Sequence, residues 1–96
     1  MPAILKWPFE DPQNVAVFTT KQVVKERKAI LFVTHDADDG AWQFHSGDIA
    51  RDEDAMLLAL SEIVEIDPTI AELADLPVGY KASRASLSSS WKRFKA

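Results

Sequence analysis

The chain contains no cysteine and only three glycines. The absence of cysteine excludes disulfide bridges, zinc–thiolate sites and thiol nucleophiles, and it fits a reducing compartment. Three widely spaced glycines exclude a glycine-rich phosphate-binding loop, and no serine occupies the Gly-x-Ser-x-Gly pattern of a nucleophile elbow. These absences predict no cofactor and no motif-defined enzyme class.

Long apolar segments are also absent. No stretch approaches the roughly 20 apolar residues that a membrane-spanning helix needs. The start, Met1–Pro8, lacks a basic segment followed by a long apolar run, so it does not have the pattern of a signal peptide. We therefore expect no membrane association and a cytoplasmic location.

A length of 96 residues predicts one domain with a thin core. Residues 1–13 contain three prolines, which preclude regular structure, and we interpret them as an N-terminal arm. The aromatic side chains of Trp7 and Phe9 predict that this arm packs back onto the domain. Residues 14–86 are predicted to form the domain itself. Residues 87–96 form a basic, aromatic tail that is either mobile or docked as an edge segment.

Charge is distributed unevenly along the chain. Residues 36–80 contain twelve acidic residues and one base, Arg51, whereas residues 81–96 contain five bases and no acid. One interpretation is that these charges neutralise each other in the folded protein. The other is that the acidic segment forms a face for a basic partner, whose association would be steered by charge and weakened by salt.

Four segments rich in β-branched or aromatic residues are predicted to be strands. They are residues 15–18, 29–35, 41–45 and 80–86. The second and third are joined by residues 36–40, whose last two, Asp39-Gly40, are typical of a two-residue hairpin turn. A turn across all five residues is equally open, and the two alternatives give different cross-strand partners. Alternation places Trp42 and Phe44 on one face of the third strand.

Helices are predicted between the strands. The main one covers residues 53–65, with Asp52 as its N-cap and a stripe at helical spacing. The stripe consists of Met56, Ala59, Leu60, Ile63 and Val64. A short helix follows Thr19 or Thr20, and another starts at Asp67-Pro68 and runs to about Leu73. The resulting order, β-α-β-β-α-α-β, predicts an α+β fold with about four strands in a mostly antiparallel sheet and helices packed on one face.

Three groups of polar residues were considered as chemical sites. The aspartates around Gly40 resemble the start of a calcium loop, but Gly40 is in the fifth rather than the sixth position from Asp36, and Gly47 stands where the loop needs its glutamate. His35 and His45 flank the hairpin without a metal-ligand spacing. The acids at residues 48–54 are explained by a helix N-terminus, where negative charge is favoured. No metal is therefore predicted.

The tail combines cations with aromatic residues, a pattern compatible with nucleic-acid contact. With Arg84 it comprises Trp91, Lys92, Arg93, Phe94 and Lys95. The patch is short and the whole chain has a formal charge of −4, which repels phosphate at range. We therefore predict no nucleic-acid partner and interpret the segment as a docked tail.

Two elements of the sequence carry a family resemblance. One is the segment 39–48 with its core Trp-x-Phe-x-x-Gly-Asp, and the other is Asp67-Pro68 followed by Leu76-Pro77-Val78-Gly79 and an outgoing strand. Over about residues 14–86 the chain resembles the bacterial immunity protein thirty-three-like family. This family, formerly a domain of unknown function, is proposed to neutralise toxins of polymorphic toxin systems. The resemblance implies a bacterial, non-enzymatic protein that binds another protein.

We therefore expect a domain that binds a protein partner, with a basic toxin domain as the implied candidate and steric occlusion as the mechanism. The residues expected to meet the basic surface are Asp36, Asp38, Asp39, Asp48, Asp52, Glu53 and Asp54. Two alternatives remain at this point. One is a structural or regulatory module that self-associates through a sheet edge or the tail, and the other is a metal-dependent hydrolase using His35, His45 and nearby acids.

Overall fold

A computed structural model describes residues 7–48 and 51–95. It contains six strands, two short α-helices and two 3₁₀ helices. In chain order they are β1 (Ala16–Thr20), α1 (Lys21–Val24), β2 (Phe32–His35), β3 (Trp42–His45), a first 3₁₀ helix (Asp52–Asp54), β4 (Ala55–Ala59), α2 (Leu60–Ile66), a second 3₁₀ helix (Pro68–Leu73), β5 (Tyr80–Ser83) and β6 (Lys92–Lys95). Within the described residues no helix is long and apolar enough to cross a membrane.

The strands form one mixed sheet with the order β4-β1-β3-β2-β5-β6. Only β1 and β3 run parallel, and the other four pairings are antiparallel. The α+β class predicted from the sequence is confirmed. The predicted count of about four strands is too low, because β4 and β6 were expected to be helix and tail.

The predicted main helix over residues 53–65 is wrong in its first half. Ala55–Ala59 is strand β4, which pairs with all five residues of β1, and only Leu60–Ile66 is helical. The run Met56–Ala59 fits either period, because four consecutive apolar residues satisfy a helical stripe and a strand alike. Pairing with β1 outweighs the helix propensity of alanine, methionine and leucine. Asp52 consequently begins a 3₁₀ turn rather than capping a long helix.

The hairpin register is now defined. His35 lies opposite Trp42, so the connection spans residues 36–41 rather than a two-residue Asp39-Gly40 turn. The N–H of Gly40 donates to the carbonyl oxygen of Asp36, and the N–H of Asp36 donates to that of Ala41. Gly40 has a φ of 74°, the left-handed conformation that glycine adopts without steric cost.

Both terminal segments pack against the domain where they are described. Phe9 is buried and meets Trp42 edge-on, with ring centroids 5.4 Å apart, and Trp42 Nε1 donates to Asp11 Oδ2 over 2.9 Å. The predicted packing of the arm is therefore confirmed for residues 7–13, and residues 1–6 lie outside the described chain. At the other end, β6 pairs with β5, so the tail is docked as an edge strand.

A single apolar core lies against one face of the sheet. The strands contribute alternate residues to it, and the helical segments contribute their buried side chains. From the strands these are Val17, Val33, Trp42, Phe44 and Ala82, and from the helical segments Val23, Leu60, Ile63, Ile70 and Leu73. We call this side of the sheet the helix face. Because successive side chains of a strand point to opposite faces, the remaining strand residues define a second, open face.

Candidate protein-binding face

The open face presents one continuous row of side chains across all six strands. The strand registers place these residues directly opposite one another, neighbour by neighbour. From β4 to β6 the row reads Leu57, Phe18, Gln43, Thr34, Lys81 and Phe94. The centre of the row is polar, whereas apolar residues stand at both ends.

The apolar ends of this row are exposed. Leu57 is 61% exposed, and Phe18 and Phe94 are each 43% exposed. A fold that buries its apolar residues against the opposite side of the sheet has no internal need for these three. Leu57 and Phe18 are adjacent and bordered by the polar centre, a grouping of exposed apolar side chains that marks interaction sites, whereas Phe94 stands alone at the other edge.

A hydrogen-bonded chain occupies the polar centre of the open face. Thr34 Oγ1 donates to Asp36 Oδ1 over 3.0 Å, and Gln43 Nε2 donates to Asp36 Oδ2 over 2.7 Å. Since a carboxylate can only accept, the amide of Gln43 must turn its oxygen toward His45, 3.0 Å from the ring Nε2. His45 therefore donates from Nε2, and this chain of bonds holds the Asp36 carboxylate over the face.

The surroundings of His45 favour the neutral form of its ring. Burial lowers the pKa of the imidazole below its ordinary value, and the charge of Asp36 opposes that shift with a smaller effect. The ring belongs to the structural network and is not paired with a nucleophile.

The hairpin aspartates, Asp36, Asp38 and Asp39, lie at one end of the open face. Asp39 Oδ1 accepts from the N–H of Ala41 over 2.9 Å, which stabilises the turn. Asp38 and Asp39 are exposed. Across residues 7–48 and 51–95, none of the five ion pairs involves any of the three. Their negative charge is therefore available to a partner.

Three of the other four acids of the predicted strip lie beside bases, whereas Asp52 forms no ion pair among the described residues. Asp48 pairs with Lys28 over 3.2 Å, and Glu53 lies 3.4 Å from Arg51. A hydrogen bond from the Ser46 hydroxyl, followed by the contact with Lys28, lowers the pKa of Asp48. For these residues the interpretation as internal charge balance fits the structure.

Asp54 is buried, unlike the rest of the strip. Its carboxylate accepts from Gln22 Nε2 over 3.0 Å and from the N–H of Arg51 over 3.1 Å, and it lies 3.2 Å from Lys21 Nζ. The bond from Gln22, together with that from Arg51, lowers the pKa of this carboxyl. Asp54 ties the first 3₁₀ helix to α1 and presents no surface to a partner. It is therefore not available for the contact that the sequence suggested.

The predicted acidic strip is divided between the two ends of the sheet. The hairpin precedes β3, whereas Asp48 and the first 3₁₀ helix follow it, and β3 with its flanks spans roughly 15–20 Å at the usual rise per residue. The structure thus brings together the three hairpin aspartates and separates them from Asp48, Asp52 and Glu53.

The histidines considered for metal binding lie apart. His35 stacks on Trp42 with ring centroids 3.9 Å apart, and its Nδ1 lies 2.7 Å from the carbonyl oxygen of Leu76. His45 lies at the far end of β3 and points to the open face. In the described part of the chain, no group of three potential metal ligands comes together.

The basic tail is likewise divided. Arg84 is buried and pairs with Asp67 over 2.8 Å, and Arg93 pairs with Asp75 over 2.8 Å. Lys92 belongs to the open face, where it lies opposite Ser83. Two of the cations that suggested a nucleic-acid patch therefore serve internal contacts.

Sequence reasoning missed the apolar part of this surface. Exposure alternates along β1, where Val17 is buried and Phe18 is exposed, but residues 15–18 are all apolar, so the sequence carried no signal of an open face opposite the core. Leu57 was instead expected within the predicted helix over residues 53–65. Its exposure follows only from the pairing of β4 with β1.

No family model matches this chain, and no curated protein or solved structure matches it either. The resemblance to the immunity protein family therefore stays a prediction.

Proposed function

We infer that this chain is a binding domain without catalytic activity, and that it engages a protein partner through the open face and the hairpin aspartates. The observation that carries this proposal is the combination at one surface of exposed apolar side chains with carboxylates that form no ion pair among the described residues. Apolar contact supplies affinity, and the charges supply orientation and a faster encounter.

The chemistry of this surface supports a partner of one kind. Asp38 and Asp39 are exposed, and the Asp36 carboxylate is positioned over the face by Thr34 and Gln43. A matching partner carries a basic patch next to an apolar one. Contacts of this kind weaken with salt because the hairpin charges are exposed.

The family resemblance makes a toxin domain the proposed partner class. A basic toxin domain is complementary to the hairpin, and a domain seated on such a surface would block access by steric occlusion. We propose that this takes place in the cytoplasm, consistent with a chain that has no cysteine.

Affinity capture from a lysate of the source organism tests the proposal. The bait is the whole chain, compared with the variant Asp38→Lys and with Asp52→Lys, an exposed acid at the other end of the sheet. Both changes add the same charge, so a general electrostatic effect would treat them alike. We expect one basic protein to be retained by the wild type and by Asp52→Lys and lost by Asp38→Lys.

A captured toxin domain would then be tested directly. Its co-expression with the wild-type chain should restore growth, and co-expression with Asp38→Lys should restore it less. Equal capture by all three baits would contradict the role of the hairpin, and capture of no basic protein by a folded bait would contradict the proposed partner.

A further inference from the structure

The two edges of the sheet differ in their chemistry. β6 forms one edge with the sequence Lys-Arg-Phe-Lys, and three cations on a four-residue strand repel a second copy of the same edge. β4 forms the other edge with the sequence Ala-Met-Leu-Leu-Ala, which contains neither charge nor proline. Charged residues and proline are the usual protection of an edge strand against pairing with another chain. β4 lacks that protection.

Among the described residues, the backbone of β4 has one pair of free polar groups at its centre. The N–H of Leu60 donates to the carbonyl oxygen of Val15, and bonded pairs of an antiparallel ladder recur at every second residue. Leu58 and Met56 therefore bond to β1, and the polar groups of Leu57 point away from it. Some of the outward-pointing backbone groups on either side of Leu57 already have hydrogen-bond partners.

On either side of Leu57, a hydrogen bond within the chain occupies a backbone N–H group that could otherwise pair with another strand. The N–H of Ala59 donates to Glu62 Oε1 over 2.8 Å, and the N–H of Ala55 donates to the carbonyl oxygen of Asp52. The N–H and carbonyl of Leu57 remain directed outward. Pairing with another strand is therefore centred on this residue.

The sequence of β4 is nearly symmetric about Leu57. If a second copy lies antiparallel to it on a two-fold axis, Leu57 faces Leu57, Met56 faces Leu58, and Ala55 faces Ala59. An isologous contact requires this self-complementarity. Since Leu57 directs both polar groups outward, the central pair would exchange two backbone hydrogen bonds. Small alanines at either side leave room for the approach.

We propose that β4 pairs with β4 of a second copy of this chain, joining two sheets across a two-fold axis. The apolar end of each open face then meets the other, so that Phe18 and Leu57 of one copy continue into Leu57 and Phe18 of the next. This contact buries Leu57, which is more exposed than the other two apolar side chains of the open face, Phe18 and Phe94. The short edge predicts a weak dimer with a dissociation constant on the order of 100 µM.

The charges around β4 oppose this dimer and give it a distinctive salt dependence. Antiparallel pairing brings the first 3₁₀ helix of one copy, with Asp52 and Glu53, toward α2 of the other, with Glu62. Arg51 is the nearby base. Added salt screens this repulsion and strengthens the dimer, whereas it weakens binding through the hairpin aspartates.

Disulfide trapping tests the geometry, because the chain has no cysteine of its own. Directly opposed residues of a bonded antiparallel pair have Cα atoms about 5.5 Å apart, within the range that a disulfide spans. We expect Leu57→Cys to form a covalent dimer under mild oxidation at least about tenfold faster than Val78→Cys, whose parent side chain is comparably exposed at 51%. Equal rates would overturn the proposal.

Sedimentation of the chain without cysteine supplies an independent readout. Leu57→Lys should weaken self-association at least about tenfold, because two ammonium groups would oppose each other, and Val78→Lys should not. Glu62→Gln keeps the bond to Ala59 and removes one repelling charge, so it should strengthen the dimer severalfold. A wild-type chain that stays monomeric at millimolar concentration would overturn the proposal. Asp38→Lys should leave the dimer intact. The dimer proposal and the proposed partner contact can therefore be refuted separately.

Discussion

Replacing Arg84 should cost the domain a large part of its stability. The guanidinium is buried, with Nη2 2.8 Å from Asp67 Oδ2, Nε donating to the Ile30 carbonyl and Nη1 donating to Thr69 Oγ1. Its plane lies 4.1 Å from the Trp91 ring centroid, so the same side chain also fixes the segment before β6. Arg84→Met keeps the volume but leaves Asp67 as a buried charge without its cation.

The expected loss follows from the burial of both partners. Removing one partner of a buried ion pair costs about 3–5 kcal/mol. A domain of 96 residues has a free energy of unfolding of about 5–14 kcal/mol. With a denaturant dependence of about 1.5 kcal/mol per molar urea, the unfolding midpoint should fall by about 2–3 M.

Urea unfolding followed by tryptophan fluorescence measures this shift, and Arg93→Met is the matched control. Arg93 also pairs with an aspartate over 2.8 Å, but both side chains are partly or largely exposed, so its loss should cost less than about 1 kcal/mol. Asp67→Asn combined with Arg84→Met should cost less than the sum of the two single changes, because the uncompensated charge is removed. Equal midpoints for Arg84→Met and Arg93→Met would refute the reasoning.

Three further predictions concern pH and the backbone. Burial lowers the pKa of His45 below 6.5, so the unfolded chain binds a proton at this ring before the folded chain does. The free energy of unfolding should therefore fall as the pH drops through 6.5 toward the folded-state pKa. His45→Gln should reduce this pH dependence when unfolding is measured between pH 7 and pH 5. The pKa of Asp54 is lowered in the fold, so its contribution to the free energy of unfolding is present above the ordinary carboxyl range and is lost as the pH falls through the folded-state pKa. Asp54→Asn should make the free energy of unfolding depend less on pH in the acid range of the same titration. An unchanged dependence would contradict this. Gly79 has a φ of 87° and its N–H donates to the His35 carbonyl over 2.7 Å, so Gly79→Ala should lower stability by about 1 kcal/mol in thermal unfolding, and an unchanged midpoint would refute the strain.

Local signals in the sequence predicted the hairpin strands and the start of the second 3₁₀ helix. The hairpin strands β2 and β3 were predicted from their composition. Asp67-Pro68 starts the second 3₁₀ helix, and Asp67 Oδ1 accepts from the N–H of Thr69, which is the hydrogen bond expected of an N-cap. In both cases the stabilising bonds join residues close in the chain. The turn length remained open because Asp39-Gly40 also fits within a longer connection.

Sequence reasoning missed β4 and β6 because the strand conformation of each depends on a partner strand that its own residues do not indicate. β4 becomes a strand because β1, almost forty residues earlier, provides its ladder, and no local pattern distinguishes Ala55–Ala59 from the first turns of a helix. β6 is a strand because β5 offers an edge. Charge reasoning identified the acidic residues of the candidate site, but it could not separate the unpaired hairpin aspartates from Asp48, Glu53 and Asp54. That division depends on where α1 and its following loop place Lys21 and Lys28.

The central claim is that the hairpin aspartates and the open face bind a basic protein partner. The most direct measurement is the dissociation constant of the captured partner for the wild type, Asp38→Lys and Asp52→Lys at low and at physiological salt. The account predicts that Asp38→Lys weakens binding roughly tenfold or more at low salt, that salt narrows this difference, and that Asp52→Lys binds like the wild type. Equal constants for the two variants, or a difference that salt leaves unchanged, would contradict it.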